Sequence, residues 1–199
     1  QRQESAKKFI IEKLTTKEID DFYKNDIFGD ITAKHILIIP DVTDSMDATE
    51  KSQKESEALA LAREIIEKYE NGAEWNDLVQ QYSEDTGTLA TNGELTFNKI
   101  GQSAVDPAFF EASLKLANGE ITKEPVRSQF GYHIILKVTQ KEKPSKEASL
   151  VTIQKTLAEK KLSATERAYA DTWASIREEY NLEIFDGVLK QAYKEFKGQ

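Results

Sequence analysis

Residues 130–138 read FGYHIILKV, and they set His133, one of only two histidines in the chain, between Tyr132 and the branched pair Ile134 and Ile135. A β-branched, apolar run of this length predicts a strand with at least one buried face. A titratable ring is therefore placed inside a sheet. The other histidine, His35, lies in a nearly matching setting, AKHILII at residues 33–39. Two histidines, each in its own buried strand, are the feature from which the rest of the fold is read.

Around the first stretch, EPVRSQFGYHIILKVTQKE (residues 124–142) predicts two strands joined by a tight turn at Gln129 to Gly131. Around the second, DITAKHILIIP predicts a strand over 31–39 that Pro40 stops. Between them, Ala58, Leu61, Ala62, Ile65, Ile66 and Tyr69 recur at helical spacing, so a long helix spans about 48–69 and ends at Asn71-Gly72. AEWNDLVQQYSED (73–85) predicts a further helix with Trp75, Leu78, Val79 and Tyr82 inward, and TGTLATNGELTF (86–97) a loop with a very short strand. DPAFFEASLKL (106–116) is a third helix, with Asp106 as cap and Pro107 at its first position. The last two strands form a hairpin and the helices cluster, so the class is α+β rather than a doubly wound parallel sheet.

The flanks differ. QESAKKFIIEKL (3–14) and TKEIDDFYKN (16–25) predict two short amphipathic helices, the second opened by a threonine cap. KEKPSKEAS (141–149) is charged, contains proline and lacks large apolar groups, which marks a boundary. Beyond it one long helical pattern covers 150–180, NLEIFD (181–186) allows a short strand, and GVLKQAYKEF is a final helix. The expected division is 1–29, 30–142 and 143–199.

Composition narrows the function. At 199 residues and 39% hydrophobic content the chain can bury one sizeable core and a smaller lobe. No cysteine is present, which removes disulfides, thiolate nucleophiles and cysteine zinc sites. The formal charge of −8 is concentrated in residues 30–142, with eleven basic and twenty acidic side chains. An acidic middle argues against nucleic acid and against anionic membrane surfaces. The longest apolar runs fall far short of the roughly 20 residues a spanning helix needs, so a soluble protein with no direct membrane insertion is expected. The start carries no secretory leader, which leaves a cytosolic protein or a trimmed form of an exported one. The natural chain is expected to begin before Gln1.

The motifs AKHILI, GAEWNDLVQQYSED, FFEASLKLANGEITKEPV and SQFGYHIILKV together resemble the parvulin-type peptidyl-prolyl cis-trans isomerases, in that family's order and spacing over residues 32–138. The resemblance implies an antiparallel-rich, four-stranded sheet wrapped by helices. The flanks, with TTKEIDDFYKN before and YNLEIFDGVLKQ after, are similar to the PrsA-type extracytoplasmic foldases of Gram-positive bacteria, whose terminal segments pair into a smaller, mainly helical chaperone lobe. The N-terminal segment here is shorter than is usual there, so a reduced lobe is expected.

The resemblance places His35 and His133 side by side on adjacent strands, hydrogen-bonded to each other with Asp85 at the edge of their network, as the catalytic group. It puts Val105 and Phe109 in a proline-ring pocket, with Phe130 and Leu95 on its wall and the Ser128 hydroxyl behind the histidines. Phe110 stands beside Phe109, and one of the two must face the core. A histidine in an apolar strand is ordinarily a satisfied core residue, but both histidines landing on the family's two positions favours the site reading. Two histidines with Asp85 also match a 2-His-1-carboxylate metal set; the apolar neighbours leave no open coordination positions, so neither a metal nor another cofactor is expected.

Two departures bear on rate. TNGELTF lacks the second glycine of the family's GGDLG-type turn, and Val105 stands where methionine is common, which loosens the grip on proline. Activity is expected to be weak. Asp41, Asp44, Asp47 and Glu50 occupy the loop where phosphate-directed relatives hold basic residues, so phosphoserine-proline substrates are disfavoured.

The function implied is isomerisation of X-Pro bonds in unfolded or partly folded exported clients, outside the cell membrane, as a lipoprotein in the full-length form, with a dimer allowed through the lobe. The competing expectation is a holdase whose helical lobe exposes Phe, Leu, Tyr and Trp side chains such as Trp173, beside an inert isomerase unit.

Overall fold

The computed structural model describes residues 2–101, 104–183 and 187–197. Contacts divide the chain into two compact units, Asp26–Pro144 and the paired termini Gln1–Asn25 with Ser145–Gln199. The fold is α+β, as expected.

The terminal unit contains α1 (Arg2–Lys13), α2 (Thr16–Asp26, whose last residue passes into the central unit), α6 (Lys146–Leu162), α7 (Ala168–Glu179) and α8 (Gly187–Lys197). Helix α1 packs on α6 and α7, with Ala6, Ile10, Ile153, Ala158 and Ile176 buried. Ion pairs Lys7–Glu159 (2.8 Å), Lys13–Glu179 (2.7 Å) and Lys146–Asp20 (2.8 Å) join N-terminal helices to C-terminal ones. Exposed pairs of this kind contribute little stability, so the buried aliphatic seam holds the lobe and the charges set its register.

The pattern over 150–180 is broken in the structure. Helix α6 stops at Leu162, and α7 begins at Ala168. In SATER, the intervening stretch, the Ser163 hydroxyl bonds back to the Glu159 carbonyl (2.9 Å), and the Ala168 N–H bonds to Thr165 (3.1 Å). Of the stretch read as a short strand, 181–183 is turn and irregular backbone, and 184–186 lie outside the described residues. Trp173 is half-buried, with its indole N–H enclosed, and so is not an exposed client-binding side chain.

The central unit is built on β1 (Ile31–Ile38), β2 (Glu94–Phe97), β3 (Val126–Arg127) and β4 (Tyr132–Gln140), with α3 (Ala48–Glu70), α4 (Trp75–Tyr82) and α5 (Pro107–Lys115) around them. The sheet order is β2-β1-β4-β3, with every pairing antiparallel. Alternation along β1 divides the core in two. Ile36 and Ile38, with Ile134 of β4, pack under α3 and α4 against Ile65, Trp75 and Val79. Ile31 and Ala33, with Ile135, face Phe97, Phe109 and Phe110. Helix α4 is shorter than the pattern over 73–85, because Ser83 turns out in extended backbone.

The long helix opens with a capping box at Asp47 and Glu50, and α5 is capped by Asp106, whose carboxylate accepts from the Ala108 N–H at 2.9 Å. The chain enters and leaves this unit side by side. Lys141 donates its N–H to the Asp30 carbonyl (2.9 Å), and a Cβ on Gly29 would come within 1.9 Å of the Lys141 oxygen. That crossing admits only glycine. Gly29→Ala is expected to destabilise the protein by about 3 kcal/mol, the scale of a backbone forced apart in a packed site; an unchanged urea midpoint would show that the two segments separate freely.

Candidate active site

The pairing of β1 with β4 sets the geometry. His35 lies opposite Ile135 and Leu37 opposite His133, so the two histidines are diagonal neighbours on one face of the sheet, the face of Phe109. Their ring centroids are 5.6 Å apart with the planes tilted by 47°. Phe109 packs edge-on against both, at 5.5 Å from His35 and 5.1 Å from His133.

Each ring is held from behind by backbone that the sequence shapes locally. Trp75 on α4 donates its indole N–H to the Asn92 carbonyl (3.1 Å) and so anchors the loop after Leu89–Thr91. Asn92 takes the left-handed conformation (φ 54°) in TNGELTF, and asparagine tolerates that region better than other side chains. Gly93 follows at φ 77°, where a Cβ would lie 2.2 Å from the His35 oxygen. The Gly93 carbonyl thereby accepts both the His35 backbone N–H (2.9 Å) and its Nδ1–H (3.1 Å).

Asp85 Oδ2 lies 3.0 Å from His35 Nε2. The carboxylate is itself held by the Thr88 hydroxyl (2.8 Å) and the Gly87 N–H (3.1 Å). The preceding residues staple the loop to β1: Leu37 donates to Ser83 Oγ (3.3 Å), and Ile39 donates to Glu84 Oε2 (2.5 Å). A carbonyl oxygen only accepts, so His35 Nδ1 carries a hydrogen. The short Nε2···Oδ2 contact then needs a second proton along that line. Burial pushes His35 below its ordinary value, while the Asp85 carboxylate and the Gly93 carbonyl pull it back.

His133 has different partners. Ser128 Oγ is 2.7 Å from Nε2, accepts the Phe130 N–H at 3.1 Å and lies 3.5 Å from the Gly131 carbonyl. His133 Nδ1 is enclosed, with no hydrogen-bond partner among the described residues. Burial, and next the neighbouring His35, push His133 down to about 4. The histidine pair expected to share a hydrogen bond does not. Both His35 nitrogens are taken by Gly93 and Asp85, Ser128 takes one of His133, and the diagonal register keeps the rings apart.

Above the rings is an open cleft of about 480 Å³. His35, Asp85, His133, Leu95, Val105, Phe109 and Phe130 all line it. Ser128 sits behind His133 and is buried. Phe109 faces the cleft while Phe110 packs on Phe28 (5.3 Å) and Phe97, which resolves that choice. Phe130 is 57% exposed on the hairpin turn.

Sequence reasoning missed Thr88 and Gln129 and read Asp106 only as a helix cap; Gln129 and Asp106 line the same cleft. The Asp-Thr-Gly-Thr spacing of 85–88 was a legible signal for Thr88, because an aspartate two residues before glycine favours a turn closed by its own carboxylate. No group of three or more His, Asp or Glu side chains among the described residues is arranged to hold a metal.

Residues 17–142 match the model of the PPIC-type PPIase domain. The chain belongs to this family. It is 32% identical over 185 residues to foldase protein PrsA 2 of Listeria innocua, covering 92% of this chain and 55% of that protein. The crystal structure of peptidylprolyl isomerase PrsA from Bacillus cereus superposes with a TM-score of 0.60 at 28% identity, over 97% of this chain and 65% of that one. PrsA from Streptococcus pneumoniae gives a TM-score of 0.71 at 17% identity, over 96% and 65%, and so shares the fold. The chain spans about half the length of the curated relatives it matches.

The lowered histidines make stability depend on pH with a definite sign. The unfolded His133 imidazole takes its proton near pH 6.5 and the folded one only near 4, so between these values the unfolded state binds more protons. Its contribution is complete above about pH 6.5, is lost as pH falls through that window, and levels off near 4. For His133 alone this amounts to about 3 kcal/mol. Urea unfolding of the protein and of His133→Gln at pH 7 and pH 4.5 checks it: the variant should lose distinctly less stability over that interval.

Proposed function

We propose that this cleft catalyses cis-trans isomerisation of X-Pro peptide bonds without covalent chemistry. The single observation that supports it most is an apolar recess formed by Phe109, Val105 and Leu95 over two buried histidines and a fixed carboxylate.

An X-Pro bond prefers trans by only about 0.5–1 kcal/mol, yet rotation crosses a barrier of about 18–20 kcal/mol. The barrier is amide resonance, which places negative charge on the carbonyl oxygen in either planar form. The twisted amide has lost that resonance and is less polar. Walls that grip the proline ring and exclude water from the amide therefore favour the twisted form over both planar ones.

The floor works in the same direction. Burial keeps both imidazoles from gaining charge readily, and the apolar walls leave the carbonyl charge of the planar forms poorly solvated. No cysteine is present to act as a nucleophile, and the Ser128 hydroxyl is engaged with His133.

In this reading the substrates are unfolded or partly folded exported proteins, encountered outside the cell membrane, with a lipid anchor in the full-length form. Among the described residues no helix is long and apolar enough to cross a membrane. An inert isomerase unit beside a holdase lobe is not favoured. His35, Asp85, Phe109 and His133 all line the cleft, while Trp173 is half-buried.

The test is exchange of a proline-containing peptide followed by NMR or by protease coupling, on the full chain. Asp85→Asn removes a charged hydrogen-bond partner worth about 1.5–3 kcal/mol, so kcat/KM is expected to fall about ten- to a hundredfold. Val105→Met should raise kcat/KM a few-fold, about the value of one more buried methylene group against the ring. Wild-type turnover no faster than the uncatalysed peptide would overturn the isomerase reading.

A further inference from the structure

The carboxyl groups lining the cleft, Asp85 and Asp106, are not matched by a lysine or arginine among the described residues. Asp85 is occupied by His35, Thr88 and Gly87. Asp106 is not: one oxygen caps the Ala108 N–H, and no cation pairs with the carboxylate among the described residues. Arg127, the basic residue next to Ser128, is committed elsewhere. Its guanidinium pairs with Glu55 at 2.7 Å, lies over the Tyr132 ring and donates to the Ser128 carbonyl. Lys99, in the segment leading to α5, pairs with Asp26 at 3.3 Å.

The hairpin turn that carries Gln129 and Phe130 lies against the end of β1, where a Cβ on Gly131 would come within 2.4 Å of the Ile38 oxygen. A cation bound by the protein alone is not indicated, since no three-ligand group exists among the described residues. The missing positive charge must arrive with the ligand.

We propose that the cleft selects X-Pro sites with a lysine or arginine adjoining the proline, and that Asp106 is the residue that determines this preference. The inference rests on the isomerase reading. The ring enters the recess of Phe109, Val105 and Leu95, and the cationic side chain lies along the rim to meet the Asp106 carboxylate. The long methylene stems of lysine and arginine suit such a path, since they cover apolar surface while their charged heads remain at the edge. An acidic neighbour is rejected by Asp106. At a few ångströms and rim-like screening, this difference is expected to be about tenfold in kcat/KM.

The experiment measures isomerisation by NMR exchange on short peptides that differ only beside proline, with Lys, Leu or Glu placed before it and, in a second set, after it. Affinity is read in parallel from amide shifts of cleft residues. The Lys peptide of at least one set should exceed its Glu counterpart about tenfold, and the ratio should shrink in about 0.5 M salt. Asp106→Asn keeps the helix cap, because asparagine caps as well as aspartate, and should collapse the ratio. Glu70→Gln changes the net charge equally at the end of α3, which packs on the opposite face of the sheet, and should preserve it. Equal rates and affinities for Lys and Glu peptides in both sets, or a ratio that survives Asp106→Asn, would overturn the proposal while leaving the isomerase reading intact if the Leu peptide turns over. If no peptide turns over, the isomerase reading fails, and the shift titrations still decide whether the cleft discriminates charge.

Discussion

The antiparallel ladder between β1 and β4 is the constraint on which the rest of the molecule depends. Side chains alternate between the faces of a strand, so a slip of one residue would carry His35 and His133 under α3 and α4 and put Ile36 and Ile134 in the cleft. The two aliphatic cores prevent that slip. Ile36, Ile38 and Ile134 are buried on one side, and Ile31, Ala33 and Ile135 on the other, so no alternative register keeps both sets dry. The irregularity between Thr32 and Ala33 confines the offset to the far end of the strand. The histidines are thus placed by the isoleucines around them.

Given that register, the hydrogen bonds of the floor follow a simple accounting. Three polar groups face three of the four imidazole nitrogens: the Gly93 carbonyl, the Asp85 carboxyl and the Ser128 hydroxyl. Each belongs to a different loop, and each loop is fastened to the sheet by a separate contact. Trp75 anchors the Gly93 loop, Ser83 and Glu84 pin the Asp85 loop, and the Phe130 N–H ties the Ser128 turn. A site assembled this way needs no hydrogen bond between its two rings. Buried neutral imidazoles satisfied from outside can stand edge to edge with Phe109 and leave an apolar surface above.

Much of this was legible along the chain. The histidines, Asp85, Phe109, Phe130, Leu95 and Val105, placed together by the resemblance to the parvulin-type isomerases, all line one cleft. The break at Ser163 was less legible. The apolar spacing over 150–180 continues through it, while the chain leaves the helix at Ser163 and re-enters it at Ala168. Phe109 and Phe110 were indistinguishable by type. One turn of α5 presents them to different neighbours, and the sheet beneath determines which of them meets the histidines.

Residue order by itself determined the two buried strands, the helical flanks, the acidic centre and the identity of the side chains available for chemistry, since these depend on periodicity, charge and turn residues a few positions apart. Tertiary structure alone decided that the imidazoles lie diagonally without touching, and that Asp106 lines the cleft with no cation paired to it among the described residues. Those outcomes depend on distances between residues far apart in the chain. They are set by which faces can be buried together, and local patterning carries no information about that.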